Sequence, residues 1–207
     1  MSSLFDGLEA VTTSPRRTPT VRFRRTAEIV RRTAPYTEEP GYSEEARLWL
    51  YGNPRLLHGE LAFVPEAFGP PIHSPRQLDA IERDSEEIVL ASKILVCGIH
   101  SPAHMRAAIV PLRWGSPRIV VFSGGFRFHL GTDLKDEPFP AGRLWREAWD
   151  CRTDLAISRR APDKLPTYAR HNPTVDRMIE LIVDGKHLGL SSPTDVLSPL
   201  HSWSRDI

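Results

Sequence analysis

Two short apolar runs without alternation mark the middle of the chain: Ile94 to Cys97, and the segment Arg118 to Phe122, which reads RIVVF. Uninterrupted apolar residues over so short a length suit strands covered on both faces of a parallel sheet. Between them the spacing turns helical at Met105, Ala108, Ile109 and Leu112, behind Ser101 as an N-cap and Pro102 in the first turn. Pro111 falls inside that pattern and is expected to bend or end the helix early, and Gly115-Ser116-Pro117 closes it. Strand, helix and strand in this order predict a βαβ unit over 93–131, with Ser123-Gly124-Gly125 at the carboxyl end of its second strand.

The flanking segments are read the same way. Ser74-Pro75-Arg76-Gln77 is a capping-box start for a helix to about Ala91, with Leu78, Ile81, Ile88 and Leu90 toward a sheet and an acidic face toward solvent. Residues 42–50 read as a short helix capped by Ser43 and stopped by Tyr51-Gly52-Asn53-Pro54; an irregular wrap with room for one strand follows over 52–73. Phe126-Arg127-Phe128-His129 alternates, either as a plain strand with both aromatics inward or as a segment turning Arg127 and His129 into a site. A polar loop over 133–140 is long enough to act as a lid. Ala141 to Ile157 is a helix candidate through Leu144, Trp145, Ala148 and Leu155, and Asn172-Pro173-Thr174 starts a last helix from Val175 to Val183. Elements alternating in this manner predict an α/β fold, a three-layer sandwich around a mainly parallel sheet.

Composition narrows the class without naming a task. A chain of 207 residues, 40% hydrophobic and 26% charged with net charge +1, is one globular domain without a global bias toward nucleic acid or membrane. The charge is uneven, however: Arg16, Arg17, Arg22, Arg24, Arg25, Arg31 and Arg32 crowd the amino-terminal segment. That separates a basic arm, 1–40, from a single α/β domain, 41–207. The arm could contact nucleic acid or an acidic partner, or be a solvated tail or edge strand, since there is little aromatic interleaving beyond Phe23 to stack on bases. Two cysteines in neither metal nor disulfide spacing, no apolar run near 18 residues and no signal-peptide core fit a protein of the reducing cytoplasm that does not enter a membrane. An oligomer is compatible with all of this.

Candidate chemistry gathers where the βαβ unit ends its strands. In open α/β sheets ligands bind beyond the carboxyl ends of the strands, beside helix N-termini whose free N–H groups favour anions. That edge carries Gly98, His100, Ser101, Ser123, Gly124 and Gly125, and the paired glycines would let the backbone approach a phosphate or carboxylate or simply form a turn. Arg106 and Arg127 are candidates to offset ligand charge. His100 and Glu147 are candidates to move protons, although Glu147 also suits an ion pair with Arg143 or Arg146. His100 and His104, four apart at a helix start, could share a face, but with no third ligand in sequence reach they specify no metal. No cofactor is indicated, and neither a Ser-His-Asp order nor a nucleophile elbow is present.

The strand ending at Gly98, the helix with Arg106-Ala107, the strand ending in Ser123-Gly124-Gly125, then Glu147-Ala148 and the turn His171-Asn172-Pro173-Thr174, resemble the YdcF/SanA/ElyC family over roughly residues 92–183. The resemblance implies a Rossmann-like α/β core with polar residues gathered at the strand ends, Asn172 among them, and links to cell-envelope metabolism and nucleotide-like ligands. The strand-end Ser-Gly-Gly is also similar to the nucleotide-binding folds of DNA-processing protein A and the lonely-guy phosphoribohydrolases. Two functions follow as expectations. One is a hydrolase or transferase acting on a phosphate-bearing or nucleotide-like small molecule. The other is a nucleotide-sensing module whose arginine-rich arm contacts nucleic acid or a protein partner.

Overall fold

The computed structural model describes residues 36–44, 46–69, 73–166 and 173–185. Its six strands form one mixed sheet in the order β1-β2-β6-β5-β4-β3. The apolar runs supply the centre: β4 (Ile94–Gly98) pairs in parallel with β5 (Arg118–Phe122), and every residue of both strands is buried. Parallel β6 (Asp154–Ser158) follows on one side, and β3, only Leu61–Ala62, on the other. A hairpin of β1 (Thr37–Ser43) and β2 (Leu48–Gly52) completes the sheet antiparallel to β6. The sheet therefore begins at Thr37, within the segment that the charge pattern assigns to the arm. Residues 1–35 lie outside the described part.

Helices cover both faces. On one, α1 (Pro75–Leu90) and α2 (Pro102–Trp114) pack on each other and on the sheet, around Ile81, Leu95, Cys97, Ala107, Ala108, Val120 and Phe122. On the other, α5 (Pro173–Val183) lays Val175, Met178, Ile179 and Ile182 against Val96, Ile119, Val121 and Ile157. Caps set the helix limits as the residues dictate. Ser74 and Gln77 form the reciprocal capping box of α1, Ser101 caps α2, and Gly115 closes α2 at φ +61°, a left-handed conformation that favours glycine. Pro111 does not end α2, which continues to Trp114 without the N–H bond that a residue at 111 would otherwise donate to the Ala107 carbonyl. Among the described residues no helix is long and apolar enough to cross a membrane.

Three segments differ from the sequence expectation. The stretch 42–50 is a hairpin rather than a helix. Ser43 Oγ does accept from the Ala46 N–H as a cap would, but the chain then reverses at Arg47, φ +53°. Leu48 and Leu50 enter one core while Trp49 and Tyr51 face the other, which is strand periodicity buried on both sides. Phe126–Leu130 is a one-turn helix, α3, that buries Phe126 and Leu130 four positions apart and leaves Phe128 exposed. Ala141 to Ile157 holds only one helical turn, α4 (Pro140–Arg143); its apolar Leu144 and Trp145 are 84% and 51% exposed, and its end is β6.

That irregular connection is anchored at the amino end of β5. The fully buried Arg118 donates to Asp154 at 2.9 Å, to both oxygens of Glu137 at 2.7 Å and to the Ala108 carbonyl at 3.1 Å. Arg146 reaches the same two carboxylates. Burial alone would raise the Asp154 carboxyl, but Arg146 and Arg118 outweigh it and hold it below the usual carboxylate range. Two guanidiniums and two carboxylates thus neutralise one another inside the protein.

Candidate functional site

β4 and β5 deliver their carboxyl ends to one edge of the sheet, with Gly98 opposite Val121. The first turn of α5 comes to rest over that edge. Phe122, Ser123, Arg159, Arg160, Thr174, Val175 and Met178 enclose a cleft of about 340 Å³. Its wall combines two hydroxyls and two guanidinium side chains with an apolar floor. Arg160 donates its side chain to the Leu165 carbonyl and its backbone N–H to Ser158 Oγ. Arg159 is exposed and makes no hydrogen bond or ion pair among the described residues.

Beside the cleft, His100, His104 and Asp176 converge. Nε2 of His104 lies 2.9 Å and Nε2 of His100 3.1 Å from the same oxygen, Asp176 Oδ1. The rings are 4.3 Å apart between centroids. His100 lies just before the cap of α2 and His104 in its first turn, and α5 supplies the third member 72 positions beyond His104. Burial alone would raise the Asp176 carboxyl, yet the hydrogen bonds from His100 and His104 more than offset it and hold it well below the carboxylate range. Burial lowers His104, only partly opposed by its bond to Asp176. The three potential ligand atoms lie within 4.8 Å of one another.

The other sequence candidates are distributed unevenly. Gly98 donates its N–H to His104 Nδ1, and Ser101 Oγ accepts from the His104 N–H as the cap of α2, so both build the histidine cluster. Ser123 lines the cleft. Gly124 and Gly125 lie beneath the segment 161–166 instead. The Gly125 N–H donates to the Lys164 carbonyl at 2.7 Å, the Gly124 carbonyl accepts from Ser158, and a Cβ on Gly125 would come within 2.3 Å of the Ala161 and Pro162 oxygens. The close backbone approach that these glycines permit is thus made by the protein itself. Arg127 pairs with Asp163 at the surface, and Arg106 with Asp79 and Glu82 between α1 and α2. Glu147 is exposed, its carbonyl accepting from the Glu137 N–H beside the Arg118 cluster. Asn172 lies outside the described residues.

His104, Asp176, Arg159, Arg160 and Thr174 join the site without having been singled out for it. The spacing of His100 and His104 is the visible signal for one of them. A strand reading of Asp154 to Ser158 would have exposed Arg159 and Arg160 as a third strand-end turn.

No family model matches the chain, and no curated protein does. The solved structure of DNA processing protein A from Helicobacter pylori, described for its single-stranded DNA binding mode, is similar with a TM-score of 0.45 at 14% identity. The match covers 65% of this chain and 56% of that one, so the chain spans a little over half of that neighbour's length.

Proposed function

We propose that the chain is a Rossmann-like protein that binds a small phosphate-bearing, nucleotide-like anion in the strand-end cleft and acts on it as a hydrolase or transferase. The observation carrying this reading is the convergence of Ser123, Thr174 and Arg159 around about 340 Å³ at the carboxyl ends of β5 and β6. That size falls at the lower end of the roughly 300 to 1,000 Å³ common for ligand sites, enough for a compact ligand. Hydroxyls and a guanidinium that makes no bond among the described residues suit phosphate oxygens, and the N–H groups at the start of α5 add a favourable potential of about 0.3 to 1 kcal/mol. The apolar floor of Phe122, Val175 and Met178 suits the uncharged part of such a ligand.

A thermal-shift screen over inorganic phosphate, nucleotides and sugar phosphates tests the proposal. A true ligand at about 100 times its Kd stabilises the fold by about 2.7 kcal/mol. Arg159→Ala and Ser123→Ala should remove most of that shift. A screen without any shift, or shifts unchanged in both variants, overturns it.

A second reading, a nucleotide-sensing module whose arginine-rich arm engages nucleic acid or a protein, draws on the seven arginines crowded between Arg16 and Arg32. Salt-dependent nucleic-acid binding lost on deletion of residues 1–35, with no turnover of any cleft ligand, would favour it over the enzyme.

A further inference from the structure

The folded domain carries a groove whose charge is opposite to that of the arginine-rich amino-terminal segment. It lies between the end of α1 and the edge strand β3 and encloses about 370 Å³. Phe63, Val64 and Ile88 give it an apolar floor, and Glu66, Asp84 and Glu87 line it as well. None of these three carboxylates forms an ion pair among the described residues. Lys93, the cation of the groove, is drawn off by Glu60 at 2.8 Å. Unmatched acids around an apolar floor fit a basic segment with an apolar side chain to bury.

The chain supplies such a segment in Val21-Arg22-Phe23-Arg24-Arg25, which lies outside the described residues. Its point of entry into the fold is close enough. Thr37 pairs with Gly52, and Gly52 with Leu155, so the chain joins the sheet beside the amino end of β6. The groove borders Ala91 and Lys93, directly before β4 begins at Ile94. Because β4 and β6 both run parallel to β5, these two amino ends lie on the same side of the sheet. The full width of the six strands is about 24 Å. The chain from Phe23 to Thr37 reaches up to about 46 Å when extended, so it can follow that side to the groove without crossing a face.

We propose that residues 21–25 dock in this groove on their own chain, with Phe23 on the apolar floor and Arg22, Arg24 and Arg25 against Glu66, Asp84 and Glu87. Each ion pair at such a surface is weak. The tether compensates, since a linked segment meets its site at an effective concentration on the order of millimolar, and a contact too weak to hold a free peptide becomes occupied. A docked segment withholds its arginines from other anions, so any anionic partner of the arm must compete with these three carboxylates. The dock does not depend on the reading of the strand-end cleft.

Limited trypsin digestion of the full-length protein tests it. Cleavage after Arg22, Arg24 and Arg25, followed by mass spectrometry, tracks the undocked population, and a synthetic peptide of residues 12–36 gives the unprotected rate. At about 0.05 M salt the protein should be cut at least about tenfold more slowly than the peptide, at a rate independent of protein concentration. Protection should disappear in the triple variant Glu66→Gln/Asp84→Asn/Glu87→Gln and shrink at about 0.5 M salt. Equal rates for protein and peptide, or protection that survives loss of the three carboxylates, overturn the proposal. Protection that grows with protein concentration overturns it too, by placing the segment on a second copy. If the triple variant does not fold, the wild-type protein decides alone: protection relative to the peptide that ignores salt rules out the dock.

Discussion

Arg118 has no water to fall back on, and its stability contribution should show it. Burial would lower its pKa, but Asp154 and Glu137 outweigh that and raise it, so the guanidinium is permanently charged. Replacing it with methionine leaves two buried carboxylates facing Arg146 alone, and Arg118→Met should cost about 3–5 kcal/mol in urea unfolding at pH 7. Arg118→Lys should rescue little, because one ammonium cannot serve Glu137, Asp154 and the Ala108 carbonyl together. His129 offers a second test. It stacks on Phe122 at 4.6 Å, and burial lowers its pKa from 6.5 to about 4. The folded state thus refuses a proton that the unfolded chain accepts, so stability falls as pH drops from about 6.5 to about 4, by roughly 3 kcal/mol. His104, also lowered by burial, adds to the same decline. Chemical denaturation at pH 7 and pH 4.5 should reveal the loss, and His129→Phe should make it shallower.

Among the elements, those whose periodicity agreed with their caps were legible from sequence: β4, α1, α2, β5 and α5. Local signals misled where a distant partner decided the outcome. Ser43 and the acids after it argue for a helix, but the pairing of Trp49 with Ser158 and Leu50 with Ile157 makes β2 an interior strand. The helical spacing of Leu144 and Trp145 carried no burial to enforce it. For the site, the strand ends could be located in advance, whereas the partner of His100 and His104 could not, because the fold alone delivers Asp176. The Ser-Gly-Gly turn shows the same limit, since its glycines admit the 161–166 backbone. Gly125→Ala should therefore cost about 1–3 kcal/mol by overpacking, measured as a lower urea midpoint with an unchanged m-value.

For the whole molecule, the cleft draws on three separate stretches, after β5, after β6 and at the start of α5, so ligand occupancy and global stability should be coupled. Loss of the Arg159 guanidinium removes a charge-assisted bond worth about 1.5–3 kcal/mol, so phosphate-bearing ligands should bind Arg159→Ala roughly tenfold to a hundredfold more weakly by calorimetry. The unliganded variant should melt at the wild-type temperature, because that side chain is exposed and makes no bond within the described protein.

The two rims of the sheet bear on how copies of this chain can meet. At one rim β3 is only Leu61–Ala62, with Lys93 and Glu60 paired across its start. At the other, β1 carries Pro40 behind Glu38 and Glu39, and its register slips between Thr37 and Gly41. A stub on one side and a kinked, acidic, proline-bearing margin on the other give a second molecule almost no free ladder to zip onto. Among the described residues, runaway strand-to-strand stacking is therefore discouraged from both ends.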